Sequence, residues 1–206
     1  MEAETRVSLS RGVIAKTALA LADEHGLAGL SMRKLGNELG VEAMSLYHYV
    51  EHKSDLLDAM VDVLFREVKL PYEVPPSDWE LAIREGLRAF YQVLVDHASA
   101  HELFALRPAR SDDALRVLLW AHERFAAVGL DGAQAHQALH TAVSFVMGHR
   151  SFDLGVAAHQ GINSSAQQPP EAVAYLESVS QFSRREMFEA GLDVVIAGIR
   201  SQFSLP

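Results

Sequence analysis

The stretch Gly29-Leu30-Ser31-Met32-Arg33-Lys34-Leu35-Gly36-Asn37-Glu38-Leu39-Gly40-Val41-Glu42-Ala43-Met44-Ser45-Leu46-Tyr47-His48-Tyr49-Val50-Glu51-His52-Lys53 decides the reading of this chain. Ser31 is a good N-cap, because its hydroxyl accepts a backbone N–H from the first helical turn. Leu35 and Leu39 stand four residues apart on one face and are expected to point inward. Gly40 ends this helix, where a left-handed residue is wanted. Val41 is apolar inside the turn and is expected to pack beneath it. A second helix is expected from about Glu42 to Val50, with Leu46 and Val50 buried. Its other side then carries Ala43, Met44, Ser45, Tyr47, His48 and Tyr49. Three aromatic rings in succession are costly to leave in water. Beside a DNA duplex they have uses: Tyr hydroxyls reach phosphates, His meets a base edge or phosphate, and apolar groups meet the thymine methyl. Two short helices joined by a tight turn make a helix-turn-helix, whose second helix lies in the major groove.

The flanks extend the unit. Within Arg11–His25, Ile14, Ala18, Leu21, Ala22 and His25 form a helical stripe that Gly26 closes. From Lys53 onward, Leu56, Leu57, Met60, Val61, Leu64, Phe65 and Val68 recur at helical spacing, so a connector helix leaves the head. The run Ile14 to Leu64 resembles the head of the tetracycline-repressor (TetR) family of bacterial one-component regulators. The matching residues are Ala18-Leu19-Ala20-Leu21, Gly26-Leu27, Gly29-Leu30-Ser31, Arg33-Lys34-Leu35, Leu39-Gly40-Val41, Ser45-Leu46-Tyr47, Val50, Lys53 and Leu56-Leu57. The resemblance is close over roughly the first third of the chain and loose beyond it. It implies a ligand-responsive regulator, a repressor that binds a palindromic double-stranded DNA operator as a homodimer. Met44, Ser45 and His48 are assigned to base readout, beside Ala43. Tyr47, Tyr49 and Lys53 are assigned to phosphates, helped by Ser31 and Arg33.

The chain has 206 residues, 49% of them hydrophobic, and a formal net charge of −9. That size accommodates one large domain, or a small domain plus a larger one. The acidity excludes a protein that coats DNA without regard to sequence. Even in the head, Arg33, Lys34 and Lys53 are balanced by Glu38, Glu42 and Glu51. Binding must rest on a few placed contacts, with a shallow salt dependence. The chain has no cysteine, so disulfides and thiolate metal sites are excluded, which fits a reducing cytoplasm. Met1-Glu2-Ala3-Glu4-Thr5-Arg6 is acidic and lacks a following apolar run, so no signal peptide is expected.

After Lys69, Pro71, Pro75 and Pro76 break the helix and mark a boundary. The expected organisation is a head over 1–52, a connector helix over 53–69, and a helical effector-binding and dimerisation domain over 70–206. Ser77-x-x-Glu80 reads as a capping box for the next helix. A short helix is expected over about Ala100 to Leu106, ending at Arg107-Pro108. Ser111 caps another, with Asp112 and Asp113 favourable in its first turn. Asp131-x-x-Gln134 opens a long helix to about Ala158. It is interrupted by His136, His140, His149, Arg150 and Asp153, so it does not span a membrane. The stretch 161–170 has loop composition, and two helices follow, about Glu171–Val179 and Arg184–Phe203, the last capped by Ser183-x-x-Glu186. No strand pattern and no internal repeat is visible. The fold class is all-α.

Phe188, Leu192, Val195, Ile196, Ile199 and Phe203 make one stripe that Val194 and Ala197 widen. An apolar face this broad needs more than one packing partner. The helix around 133–158 has a similar excess. The resemblance makes these two helices a four-helix dimer interface. It also implies a cavity for an unknown small-molecule effector, with candidate contacts Phe90, Leu94, His101, Phe104, Arg107, His122, His140 and Phe145. Leu103 stands where the resemblance would put a metal-binding His, so a magnesium-bound effector is not implied.

His97 with His101 and His136 with His140 are spaced i, i+4 on expected helices, a spacing that puts two imidazoles on one metal. No signature supplies a third ligand, and the pairs read as ordinary histidines. Gly-x-Ser-x-Gly, the P-loop and His-Glu-x-x-His are all missing. No catalytic residue, no metal site and no cofactor is expected. The competing readings are a small-molecule sensor with a non-functional head and a helical metal-binding enzyme.

Overall fold

The computed structural model describes residues 8–107, 110–159, 169, 171, 178 and 181–206. Ser10 opens α1 (Arg11–His25), its hydroxyl accepting the Val13 N–H at 3.3 Å. The buried face is Ile14, Ala15, Ala18, Leu19 and Ala22. It is rotated from the expected stripe: Leu21 is half-buried and His25 exposed. At 3.6 residues per turn Leu21 lies about 90° from the middle of that face, on its shoulder.

A 3₁₀ turn, Leu27–Gly29, leads to Ser31, whose hydroxyl accepts the Lys34 N–H at 3.2 Å and starts α2 (Met32–Leu39). Gly40 ends it in the left-handed region, φ 67°, and the Val41 N–H folds back to the Gly36 carbonyl at 2.9 Å. The next helix is shorter than its sequence suggests. Only α3 (Ala43–Leu46) is α-helical. The N–H groups of Tyr47, His48 and Tyr49 then bond three residues back, to Met44, Ser45 and Leu46. The reason lies just downstream. His52 must be extended (φ −157°, ψ 172°) to cap α4 (Lys53–Glu67), so the chain tightens instead of continuing as helix. Leu46 and Val50 are nevertheless fully buried, as their spacing predicts.

Three polar ties close the head. Arg11 reaches Asp55 Oδ1 at 2.6 Å, the Glu51 N–H donates to Asp55 Oδ2 at 3.0 Å, and Lys53 Nζ donates to the Leu30 carbonyl at 2.9 Å. α4 is buried through Leu56, Ala59, Met60, Val61, Val63, Leu64 and Phe65, and packs on α1.

The chain forms two compact units. The first runs up to Leu70 and resumes over Gln92–Leu119; the second takes Pro71–Tyr91 and Trp120 onward. In the first, α6 (Ala100–Leu106) packs on α4, with Phe104 edge-on to Phe65 at 4.9 Å. Arg66 bonds Asp113 at 2.8 Å, and Arg116 donates to the Phe65 carbonyl at 2.7 Å. Two helices contribute residues to both units, α5 (Trp79–Asp96) and α7 (Asp112–Ala127). The expected Ser77–Glu80 box does not start α5. Its first helical bond runs from the Ala82 N–H to the Asp78 carbonyl, and the Glu80 carboxylate serves Arg84 and Arg200 instead. Ser111 does cap α7, accepting the Ala114 N–H at 3.2 Å.

In the second unit Asp131 and Gln134 cap α8 (Gly132–His159) reciprocally, at 2.9 and 3.1 Å. Ser183 and Glu186 form a full capping box on α9 (Arg184–Phe203). α9 packs on α8 and buries Phe188, Leu192, Ile196 and Ile199, while Val194 is 73% exposed. Arg88 grips Glu189 with bonds of 2.9 and 2.5 Å, and Arg84 meets Asp193 at 2.5 Å, so α5 is tied to α9 by charge. The expected loop over 161–170 and helix over Glu171–Val179 lie outside the described residues, apart from 169, 171 and 178. Among the described residues there is no strand, and no helix is long and apolar enough to cross a membrane.

A Cβ on Gly36 would sit 2.8 Å from the Val41 carbonyl and 3.1 Å from the Ala43 nitrogen, both rigid backbone atoms. A Cβ on Gly12 would meet nothing within 4 Å. Gly36→Ala is therefore expected to destabilise the chain by about 1–3 kcal/mol. Gly12→Ala is expected to be neutral or stabilising by up to about 1 kcal/mol. Thermal melting of the two variants tests the contrast.

Candidate nucleic-acid interface

The turn from α3 to α4 presents the predicted reading residues on the outside of the head. Met44 is 71% exposed, Tyr47 42% and Tyr49 41%. His48 is exposed, and Ala43 and Ser45 are half-buried. None of Met44, Tyr47, His48 and Tyr49 has a side-chain hydrogen bond among the described residues. The arrangement follows from burial on the opposite side, because Leu46 and Val50 anchor the segment from beneath. Ser31 and Arg33 are exposed at the start of α2. The Ser31 oxygen accepts a backbone N–H, and its own O–H remains to donate. Lys53 commits one N–H to Leu30 and keeps two.

Among the described residues the head carries no broad basic field. Arg11 is neutralised by Asp55, and Arg66 at the other end of α4 by Asp113. What the surface offers is a compact set of hydroxyls, an imidazole, apolar groups and a few cations. These suit hydrogen bonding to phosphates and contact with base edges.

The predicted effector contacts divide between the two units. In the first, Leu94 is fully buried and Phe104 lies against Phe65. Arg107 turns toward α4: Nε bonds Asp58 at 2.8 Å, and Nη2 donates to the Ser54 carbonyl at 2.5 Å and to its hydroxyl. His101 sits half-buried on α6. In the second unit, Phe90 is buried. His122 and His140 flank His136, at ring separations of 6.4 Å for His122–His136 and 6.2 Å for His136–His140. Phe145 joins a cluster with His149, Phe188 and Tyr91, in which Tyr91 stacks on Phe188 at 4.1 Å. Burial, and then the hydrogen bond to Asp153 at 2.7 Å, push the Tyr91 phenol up to about 12. Among the described residues, the second unit also buries Trp120 Nε1, Arg124 Nε and His149 Nε2 without a hydrogen-bond partner. The Arg124 guanidinium stands 4.2 Å from the centre of the Trp120 ring.

His97 and His101 do not share a helix, because α5 stops at Asp96 and α6 begins at Ala100. His97 instead bonds Asp23 and Glu67, while Ser99 donates both its N–H and its hydroxyl to Asp23. A serine, a histidine and an aspartate thus meet, but in the wrong order for a nucleophile relay. The hydroxyl bonds the carboxylate, and the far ring nitrogen bonds a second carboxylate. The sequence signal for Asp23 and Glu67 is nil, since they stand 74 and 30 positions from His97.

Residues 14–60 match the model of bacterial regulatory proteins of the tetR family, and residues 70–203 match the tetracyclin repressor-like C-terminal domain. The chain belongs to the tetracycline-repressor family. An HTH-type transcriptional regulator of Saccharopolyspora erythraea is 35% identical over 147 residues, 71% of this chain and 62% of that regulator's length. The chain therefore spans about three fifths of that relative. The class A tetracycline repressor of transposon 1721, from Escherichia coli, is 28% identical over 93% of this chain and 90% of its own. Apo ActR of Streptomyces coelicolor superposes with a TM-score of 0.77 at 25% identity, covering 95% of this chain and 96% of that one.

The Arg11 guanidinium, and then the Glu51 N–H, hold the Asp55 carboxyl below its usual range against the opposing effect of burial. A lowered folded pKa means the stabilisation is present above the unfolded value of about 3.9 and is lost as pH falls through the folded one. Asp55→Asn is expected to melt below wild type at about pH 6, with the two curves converging in acid. Melting temperature against pH measures this.

Proposed function

We propose that the chain is a homodimeric DNA-binding transcriptional regulator, a repressor that reads a palindromic operator and answers to a small-molecule effector. The observation that carries the reading is the exposed Met44–Tyr49 segment, three of whose side chains are aromatic rings held outward with free polar groups on a family-type head. Met44, Ser45 and His48 read bases, with Ala43 placed to meet a thymine methyl. Tyr47, Tyr49, Lys53, Ser31 and Arg33 hold phosphates. The division into a head over 1–52, a connector over 53–69 and an effector and dimerisation region over 70–206 belongs to the same reading.

Relatives named as transcriptional regulators and as tetracycline repressors support it. A regulator of this kind acts in the cytoplasm and catalyses no reaction. The outer sides of α8 and α9, with Phe152 and Val194 exposed, are the proposed contact with a second copy. That pairing puts two heads on a two-fold site. The effector contacts proposed are Phe90, Leu94, His101, Phe104, Arg107, His122, His140 and Phe145. An effector that takes Arg107 must displace Asp58 and Ser54. Trp120 Nε1 and Arg124 Nε, which have no hydrogen-bond partner among the described residues, favour an effector that carries a carbonyl or carboxylate.

Selection from a random DNA pool with the purified chain, at low and moderate salt, is the test. A palindrome with half-sites about one helical turn apart supports the reading; recovery of nothing above background at either salt refutes it. On the selected operator, Tyr47→Ala is expected to weaken binding to every sequence by roughly tenfold. Ser45→Ala and His48→Ala are expected to relax preference at particular base pairs. Unchanged affinity in all three would overturn the groove assignment.

A further inference from the structure

His97 lies in the link between α5 and α6, with its side chain one fifth exposed. Nδ1 is 2.7 Å from Asp23 Oδ2 near the end of α1, and Nε2 is 2.8 Å from Glu67 Oε2 in the last turn of α4. The other Asp23 oxygen accepts the Ser99 N–H at 2.9 Å and the Ser99 hydroxyl at 2.7 Å. A neutral imidazole has one N–H and one lone pair, and an ionised carboxylate only accepts. Both short contacts are hydrogen bonds at once only when the ring carries two protons. With one proton, a lone pair would face a carboxylate at hydrogen-bond distance.

We propose that His97 is a proton-operated latch that, when protonated, ties α1 and α4 to the α5–α6 link, and that loses one of the two helices when it gives up its proton. The charged groups acting on the ring are Asp23 from α1 and Glu67 from α4. At the end of α5, Asp96 accepts from Gln92 instead, and Glu102 and His101 stand on the neighbouring α6. Burial by itself favours the neutral ring; the hydrogen bonds to Asp23 and Glu67 outweigh it, and the pKa ends above the ordinary histidine value. A raised folded pKa fixes the direction. The contribution is complete below the unfolded value of about 6.5 and disappears as pH rises through the folded one. α1 is part of the head, so release on the alkaline side loosens the support beneath the reading segment. The latch is a property of the first unit and stands whether or not the head binds DNA.

The test is a ring-nitrogen NMR titration of histidines in the full chain, for wild type, Asp23→Asn and Glu67→Gln, alongside melting of wild type and His97→Gln across the same pH range. His97 should titrate above the ordinary histidine value of about 6.5. Loss of either carboxylate should lower its proton affinity about tenfold. The His97→Gln variant should melt below wild type near pH 6, with the gap closing as pH rises. His97 titrating at or below the ordinary histidine value overturns the proposal, and so does a gap that does not change with pH. Should His97→Gln fail to fold, the wild-type titration decides the matter by itself.

Discussion

The close approach of the Val41 carbonyl to Gly36 is the constraint on which the exposed Met44–Tyr49 segment depends. α3 is a single turn of helix, and one turn has almost no stability of its own. The position of Met44, Ser45 and the three rings is therefore imposed from outside. From one side, α2 admits the returning chain only because Gly36 lacks a Cβ and Gly40 takes a positive φ. From below, Leu46 and Val50 are sealed into the core. From the far side, the His52 cap and the Asp55–Glu51 bond set where α4 starts. Three short-range constraints hold a segment that has no internal reason to be ordered.

The same logic governs the rest of the first unit. Its helices are brought together by apolar faces, but their registration comes from single polar bonds spanning many residues: Arg11 to Asp55, Arg107 to Asp58 and Ser54, and His97 to Asp23 and Glu67. These bonds are partly exposed, and each contributes modestly. What they supply is direction, since apolar packing alone tolerates small slips along and around a helix. In the second unit Arg84 and Arg88 set α5 against α9 in the same way. A chain with a net charge of −9 thus sets many of its cations against internal carboxylates, Arg11 of the head among them.

That pairing shapes recognition. Affinity drawn from bulk charge is insensitive to sequence and collapses in salt. In the proposed function, a head that exposes tyrosine hydroxyls, an imidazole, short apolar groups and a few cations draws on placed contacts with a particular duplex instead. The cost is visible in the free chain, where Met44, Tyr47 and Tyr49 stand in water.

Local features were legible in the sequence because their bonds span three or four residues. The Ser31 cap, the Gly40 stop, the Asp131–Gln134 and Ser183–Glu186 boxes and the bounds of α9 all follow from neighbouring side chains. The exposure of Tyr47, His48 and Tyr49 was legible too, since burying Leu46 and Val50 turns them outward. Two local readings failed where tertiary demand intervened: the expected helix over 42–50 was cut short by the extended geometry His52 needs, and Glu80 left its box for Arg84 and Arg200. The choice of Leu19 over Leu21 for the core, the fate of Arg107, and the convergence of Asp23, Glu67 and His97 had no sequence signal at all. Helical class, caps and the outward face are set by periodicity and by hydrogen bonds within a turn, which composition and spacing encode. Which distant carboxylate a cation or imidazole meets is set by how helices pack, and packing brings together residues whose separation along the chain carries no information about their distance in space.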